Sequence, residues 1–125
     1  MSHLLIVAAG GAVGATLRHL SGMAALRLFG AGFPWGTVVV NVLGSFLMGL
    51  FIELAGRRFD APQEIRLLVA TGCLGGFTTF STFSLDAVVL AERGSHMLAA
   101  IYVIGSVVAA IGALFAGLAL ARWLA

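Results

Sequence analysis

Lysine is absent from the chain, and charge of either sign is scarce: seven arginines and five acidic residues amount to 10% of 125 positions. A soluble domain carries about 25% charge. With 61% of its residues hydrophobic, the chain has too little polar side chain to cover a wetted surface. It is expected to be an integral membrane protein with one small domain, residues 1–125. The arginines stand singly or, at Arg57 and Arg58, as one pair, so the net charge of +2 comes without a basic patch and nucleic acid is excluded as a partner. The single cysteine, Cys73, rules out an internal disulfide and a paired-cysteine metal site, and suits a small buried thiol. The opening MSHLLIVAAGGAVGATLRHL has no basic start, so it is expected to stay as a membrane helix rather than be cleaved. Buried acid is also missing. Glu53, Asp60, Glu64, Asp86 and Glu92 all lie at or near segment ends, and a proton-coupled exporter of cations needs a carboxylate at mid-membrane.

What the chain does have is four apolar segments, at about residues 4–28, 35–54, 65–90 and 97–120. Each approaches or exceeds the roughly 20 residues that cross a bilayer core. The first carries Gly10-x-x-x-Gly14, a spacing that lets two membrane helices approach closely, and then Arg18, which must lie toward one end or face a polar interior. In the second, Thr37, Asn41, Gly44, Ser45 and Met48 share one helical face among valine, leucine and phenylalanine. Asn41, the one side-chain amide of that segment, either glues two helices together or presents an NH₂ group to an anion. In the fourth, Tyr102 and Ser106 form a short hydroxyl row, and Trp35 and Trp123 are placed as interface anchors.

The third segment organises the rest. Its stretch GCLGGFTTFSTF, Gly72 to Phe83, packs glycines, hydroxyls and phenylalanines into a run without charge. Glycine and threonine are poor helix formers, so a break is expected near Gly75–Thr79. Non-helical backbone at membrane depth is tolerated where protein buries it or where it lines a polar cavity. A kinked helix packed on glycine-rich neighbours is the plainer alternative. The crowding of Thr78, Thr79, Ser81 and Thr82 between Phe77, Phe80 and Phe83 favours a functional centre.

With four spans, Arg57, Arg58, Arg66 and Arg122 fall on one side, and Arg27 and Arg93, with Arg18 if it faces that way, on the other. That bias is too weak to fix one orientation. Four short helices do not shield this many polar groups from lipid alone, so a homodimer is expected. If both orientations coexist, the pair is antiparallel. Amide and hydroxyl donors together with phenylalanine edges, which are electropositive, suit a small anion.

The motifs GGxxGAxxR at Gly10 to Arg18, GTxxVNxxGSFxxG at Gly36 to Gly49 and GGFTTFSTFS at Gly75 to Ser84 resemble those of the Fluc (CrcB-like) family of bacterial fluoride channels. The likeness runs over the whole chain. It implies an all-α, multi-pass protein of the bacterial inner membrane, with four transmembrane helices in an antiparallel, dual-topology homodimer. It implies a passive fluoride channel, not an enzyme, with two pores that lower cytoplasmic fluoride, the alternative being a proton-coupled small-ion exporter. Carried over by motif, the pore residues are Asn41, Phe80 and Phe83, with Tyr102 and Ser106 on a fourth-helix track and Thr37, Ser81 and Thr82 as neighbours. Arg18 stands for the family's vestibule arginine, and the carbonyls of Gly75 and Thr78 for the ligands of a structural Na⁺ at the dimer centre.

Overall fold

The computed structural model describes residues 2–125, and every regular element among them is helical. Helix α1 is Ser2–Phe29 and α2 is Trp35–Arg57. The third segment is composite. It opens with α3, Gln63–Arg66, widens into a π-helix over Leu67–Leu74, and closes with the single turn α4, Gly75–Phe77. After two extended residues, α5 covers Phe80–Glu92, and α6, His96–Leu124, ends the chain. Four stretches are long and apolar enough to cross a membrane, namely Ser2–Phe29, Trp35–Arg57, Gln63–Glu92 and His96–Leu124. The chain is thus a multi-pass membrane protein.

The turns follow from local chemistry. Gly30 and Gly94 take the left-handed backbone after α1 and α5 (φ 81° and 84°), a conformation that costs glycine little. Pro34 and Pro62 precede α2 and α3, where a missing N–H leaves no helical bond unmade.

Between the helices, packing is backbone against backbone. Lipid tails are as apolar as leucine, so membrane helices associate through close van der Waals fit rather than water exclusion. A Cβ added at Gly10 would sit 2.9 Å from the Cα of Gly72, and one at Gly76 would sit 2.8 Å from the carbonyl oxygen of Gly11. One at Gly14 would run into the carbonyl of Cys73. The Gly10-x-x-x-Gly14 spacing is thus spent inside the chain, on the first half of the third segment. Gly49 and Gly117 do the same for α2 on α6, each facing a carbonyl of the other helix, Leu114 and Phe46 respectively. By contrast, α5 meets α6 through side chains, in a small core of Phe83, Leu90 and Tyr102. At one end Arg57 and Arg122 both pair with Glu53, tying α2 to α6. Large apolar side chains such as Leu5, Leu20, Ile104 and Phe115 cover the outside, as a surface facing hydrocarbon or another chain requires.

Candidate functional site

Thr78 (φ −87°, ψ 160°) and Thr79 (φ −152°, ψ 123°) are extended, between the α4 turn and α5. Gly75 and Gly76, the residues with the lowest helix preference, remain helical. The non-helical backbone is therefore confined to the two threonines, with the widened π-helix directly upstream. π-Helical turns are rare and cluster at functional sites.

Four side chains take over the hydrogen bonds of this segment. Gly44 lets α2 come close, because a Cβ there would collide with the methyl group of Thr78. One turn earlier on the same face, Asn41 reaches Thr79 from both sides. The Thr79 N–H donates to its Oδ1 at 2.8 Å, and its Nδ2 donates to the Thr79 carbonyl at 3.0 Å. From α1, Arg18 Nε donates to the carbonyl of Gly76 at 3.0 Å. Thr79 caps α5, its Oγ1 accepting the Thr82 N–H at 3.2 Å. Thr78 Oγ1 donates back to the Leu74 carbonyl at 3.0 Å.

Beside the two threonines, α2, α5 and α6 enclose an open groove of about 280 Å³. Asn41, Ser45, Thr78, Phe80, Phe83 and Ser106 are on its walls, with Met48 and Ala110 further along. The two phenylalanine rings touch, with centroids 5.6 Å apart, but face different ways. Phe83 is 8% exposed and packs on Tyr102 at 5.1 Å, whereas Phe80 is 77% exposed. Ser106 lines this groove, and its hydroxyl is buried without a hydrogen-bond partner among the described residues.

Toward the α1–α2 turn, Thr37 and Tyr102 converge on a residue that sequence reasoning assigned no role. Asp86 Oδ2 accepts from Thr37 Oγ1 at 2.7 Å and from the Tyr102 hydroxyl at 3.0 Å. Both hydroxyls therefore spend their proton on the carboxylate and keep only lone pairs for anything else. The available signal was spacing, since Asp86 follows Phe83 by three residues and shares its helical face. Thr82 lines a separate cleft of about 320 Å³ with Arg18, Thr37 and Thr79, and does not line the phenylalanine groove. Ser81 is exposed, its hydroxyl 3.4 Å from that of Thr79. The geometry gathers Asn41, Phe80, Phe83 and Ser106 in one groove, while Thr37 and Tyr102 meet at Asp86 and Arg18 grips the backbone of α4.

Over residues 5–118 the chain matches the family model described as CrcB-like protein, Camphor Resistance (CrcB). The chain belongs to the CrcB family. Among its relatives, a protein of Agrobacterium fabrum (strain C58) is 56% identical over 122 residues, covering 98% of each chain. One from Chelativorans sp. (strain BNC1) is 58% identical over 122 residues with the same coverage. A third, from Rhizobium johnstonii, is 54% identical over 125 residues and covers all of both chains. Each of these CrcB relatives bears the name fluoride-specific ion channel FluC.

Proposed function

We propose that the protein is a passive, fluoride-selective ion channel of the bacterial inner membrane that lowers cytoplasmic fluoride; it is a channel and not an enzyme. The observation that carries this reading is a groove walled by Phe80, Phe83 and Ser106, where the buried Ser106 hydroxyl has no hydrogen-bond partner among the described residues. A buried hydroxyl without a partner is costly, and an anion passing through the groove would accept its hydrogen bond. Whole-chain relatives named fluoride-specific channels support fluoride as that anion. Fluoride is small and strongly hydrated, so its passage needs close donors in a narrow space, and aromatic ring edges add electropositive walls.

The working unit is an antiparallel homodimer of dual topology with two pores. Phe80, a large ring left 77% exposed beside the extended backbone, is supporting evidence, because a second copy would cover it and close the open side of the groove. Tyr102 and Thr37, their hydroxyls held by Asp86, flank one end of the pathway; Ser81 borders it, and Arg18 and Thr82 line the neighbouring cleft, where Arg18 draws anions toward the entrance.

A structural Na⁺ on the dimer axis belongs to the same reading, held by the carbonyls of Gly75 and Thr78 from both chains. The backbone fits this role. In an unbroken helix the Gly75 carbonyl would accept the Thr79 N–H, but that group donates to Asn41. The Thr78 carbonyl would accept the Thr82 N–H, but that group donates to Thr79 Oγ1. Carbonyls stripped of helical donors are ligands of the kind that unwound membrane helices offer Na⁺. When bound, the ion would neutralise those oxygens and add positive charge near an anion path.

Liposomes loaded with fluoride and bearing the purified protein test the reading. Fluoride should leave rapidly down its gradient once a K⁺ ionophore clamps the voltage, at a rate unaltered by collapsing a proton gradient. Efflux that stops when the proton gradient is collapsed would establish a coupled exporter instead.

A further inference from the structure

We infer that Asn41 is a positioning residue for the cation site: by taking the Thr79 N–H, it keeps the Gly75 carbonyl free for a monovalent cation, and it acts on fluoride conduction through that site. The inference rests on the Na⁺ reading above and assigns Asn41 a role beyond that of a donor to fluoride.

The backbone of the broken segment, taken oxygen by oxygen, carries the argument. At Gly76 the carbonyl accepts from Arg18 Nε at 3.0 Å, which removes it from the set available to a cation. At Thr79 the carbonyl accepts from Asn41 Nδ2 at 3.0 Å, which removes it as well. Those of Gly75 and Thr78 differ, because their natural donors are engaged elsewhere, at Asn41 Oδ1 and Thr79 Oγ1. Diversion at Thr78 comes from within its own loop. Diversion at Gly75 depends on a side chain 34 residues back in the sequence, on another helix (75 − 41).

The pairing of Asn41 with Thr79 is reciprocal, at 2.8 and 3.0 Å, so both the Oδ1 acceptor and one Nδ2 donor are committed to backbone. A side chain used in this way is poorly placed to follow a moving anion. Its loss would free the Thr79 N–H to return to the Gly75 carbonyl and let the helix close through the threonines. The cation would then lose one ligand from each chain.

The test is a Na⁺ titration of dimer stability, followed by Trp35 and Trp123 fluorescence during thermal unfolding. It is run in detergent without fluoride, with N-methylglucamine as the replacement cation. For the wild type, the melting temperature should rise with Na⁺ to a plateau. In Asn41→Ala, the Na⁺ midpoint should increase tenfold or more. Asn41→Asp keeps an acceptor for the Thr79 N–H, so its midpoint should not rise even though a negative charge in the anion path abolishes flux. Ser106→Ala, which alters the pathway but not the backbone, should keep the wild-type midpoint. If Asn41→Ala does not assemble, Asn41→Leu, close in volume, takes its place with the same expectation. An Asn41→Ala or Asn41→Leu midpoint equal to that of the wild type overturns the inference and leaves the Na⁺ site standing. A wild type whose stability ignores Na⁺ overturns both.

Discussion

The two halves of the third segment, before and after Thr78–Thr79, are built on different principles. The first half, Gln63–Phe77, is partly π-helical and lies glycine to glycine on α1, with backbone oxygens at van der Waals distance. The second, Phe80–Glu92, is regular and meets α6 through the interlocked rings of Phe83 and Tyr102. One half has almost no side-chain volume at its contact and therefore no slack. The other has rings, a half-covered groove and an exposed phenylalanine. The rigid half fixes the height and angle of the extended threonines, and the side-chain half decides what can pass beside them.

This contrast orders the expected effects of substitution. Gly14→Val should be the most damaging, since its first carbon would already collide with the Cys73 carbonyl and lie 2.8 Å from the Phe77 nitrogen. Overpacking costs about 1–3 kcal/mol, and more where the obstacle is backbone that cannot move aside, so folded yield and flux should fall together, measured by size-exclusion profile and fluoride efflux. Phe83→Ile comes next. It removes a buried ring from the Tyr102 contact and should lower stability by about 1 kcal/mol for the lost aromatic pair alone, with flux strongly reduced. Phe80→Ile should leave the stability of the subunit nearly unchanged, because the ring is largely outside its own fold, yet reduce flux as strongly. If Phe80→Ile conducts like the wild type, the exposed ring is lipid-facing bulk and the groove is not the pathway. Ser106→Ala is the mildest. Removing an unpartnered buried hydroxyl should be neutral or stabilising by up to about 1 kcal/mol, while flux declines several-fold in the efflux assay.

Sequence and structure agree most where the physics is collective. Four apolar runs identify four membrane-length helices because length and apolarity need no partner to be read. Asn41, Phe80, Phe83 and Ser106 line one groove, and it was the resemblance of motifs, not helical spacing, that named them together. Hydrogen-bond direction was not legible. Asn41 presents the same amide in sequence whether it faces an anion or a backbone, and only the approach of α2 permitted by Gly44 decides for Thr79. Arg18 likewise suited a vestibule by charge, and its grip on the Gly76 carbonyl depends on α1 lying against α4 without side chains between. The π-helix at Leu67–Leu74 has no periodicity that marks it in LLVATGCL, since its apolar residues serve an α-helix as well. Asp86 was visible as an acid, but its bonds to Thr37 and Tyr102 join three helices and so leave no local trace.

Selective fluoride conduction is tested most directly by the reversal potential of the purified protein in a planar bilayer with fluoride on one side and chloride on the other. A fluoride-selective channel predicts a current that reverses far from zero, at the sign set by fluoride flow, and that persists unchanged when both sides share one pH. A reversal potential near zero, with chloride and fluoride carrying comparable current, would contradict it.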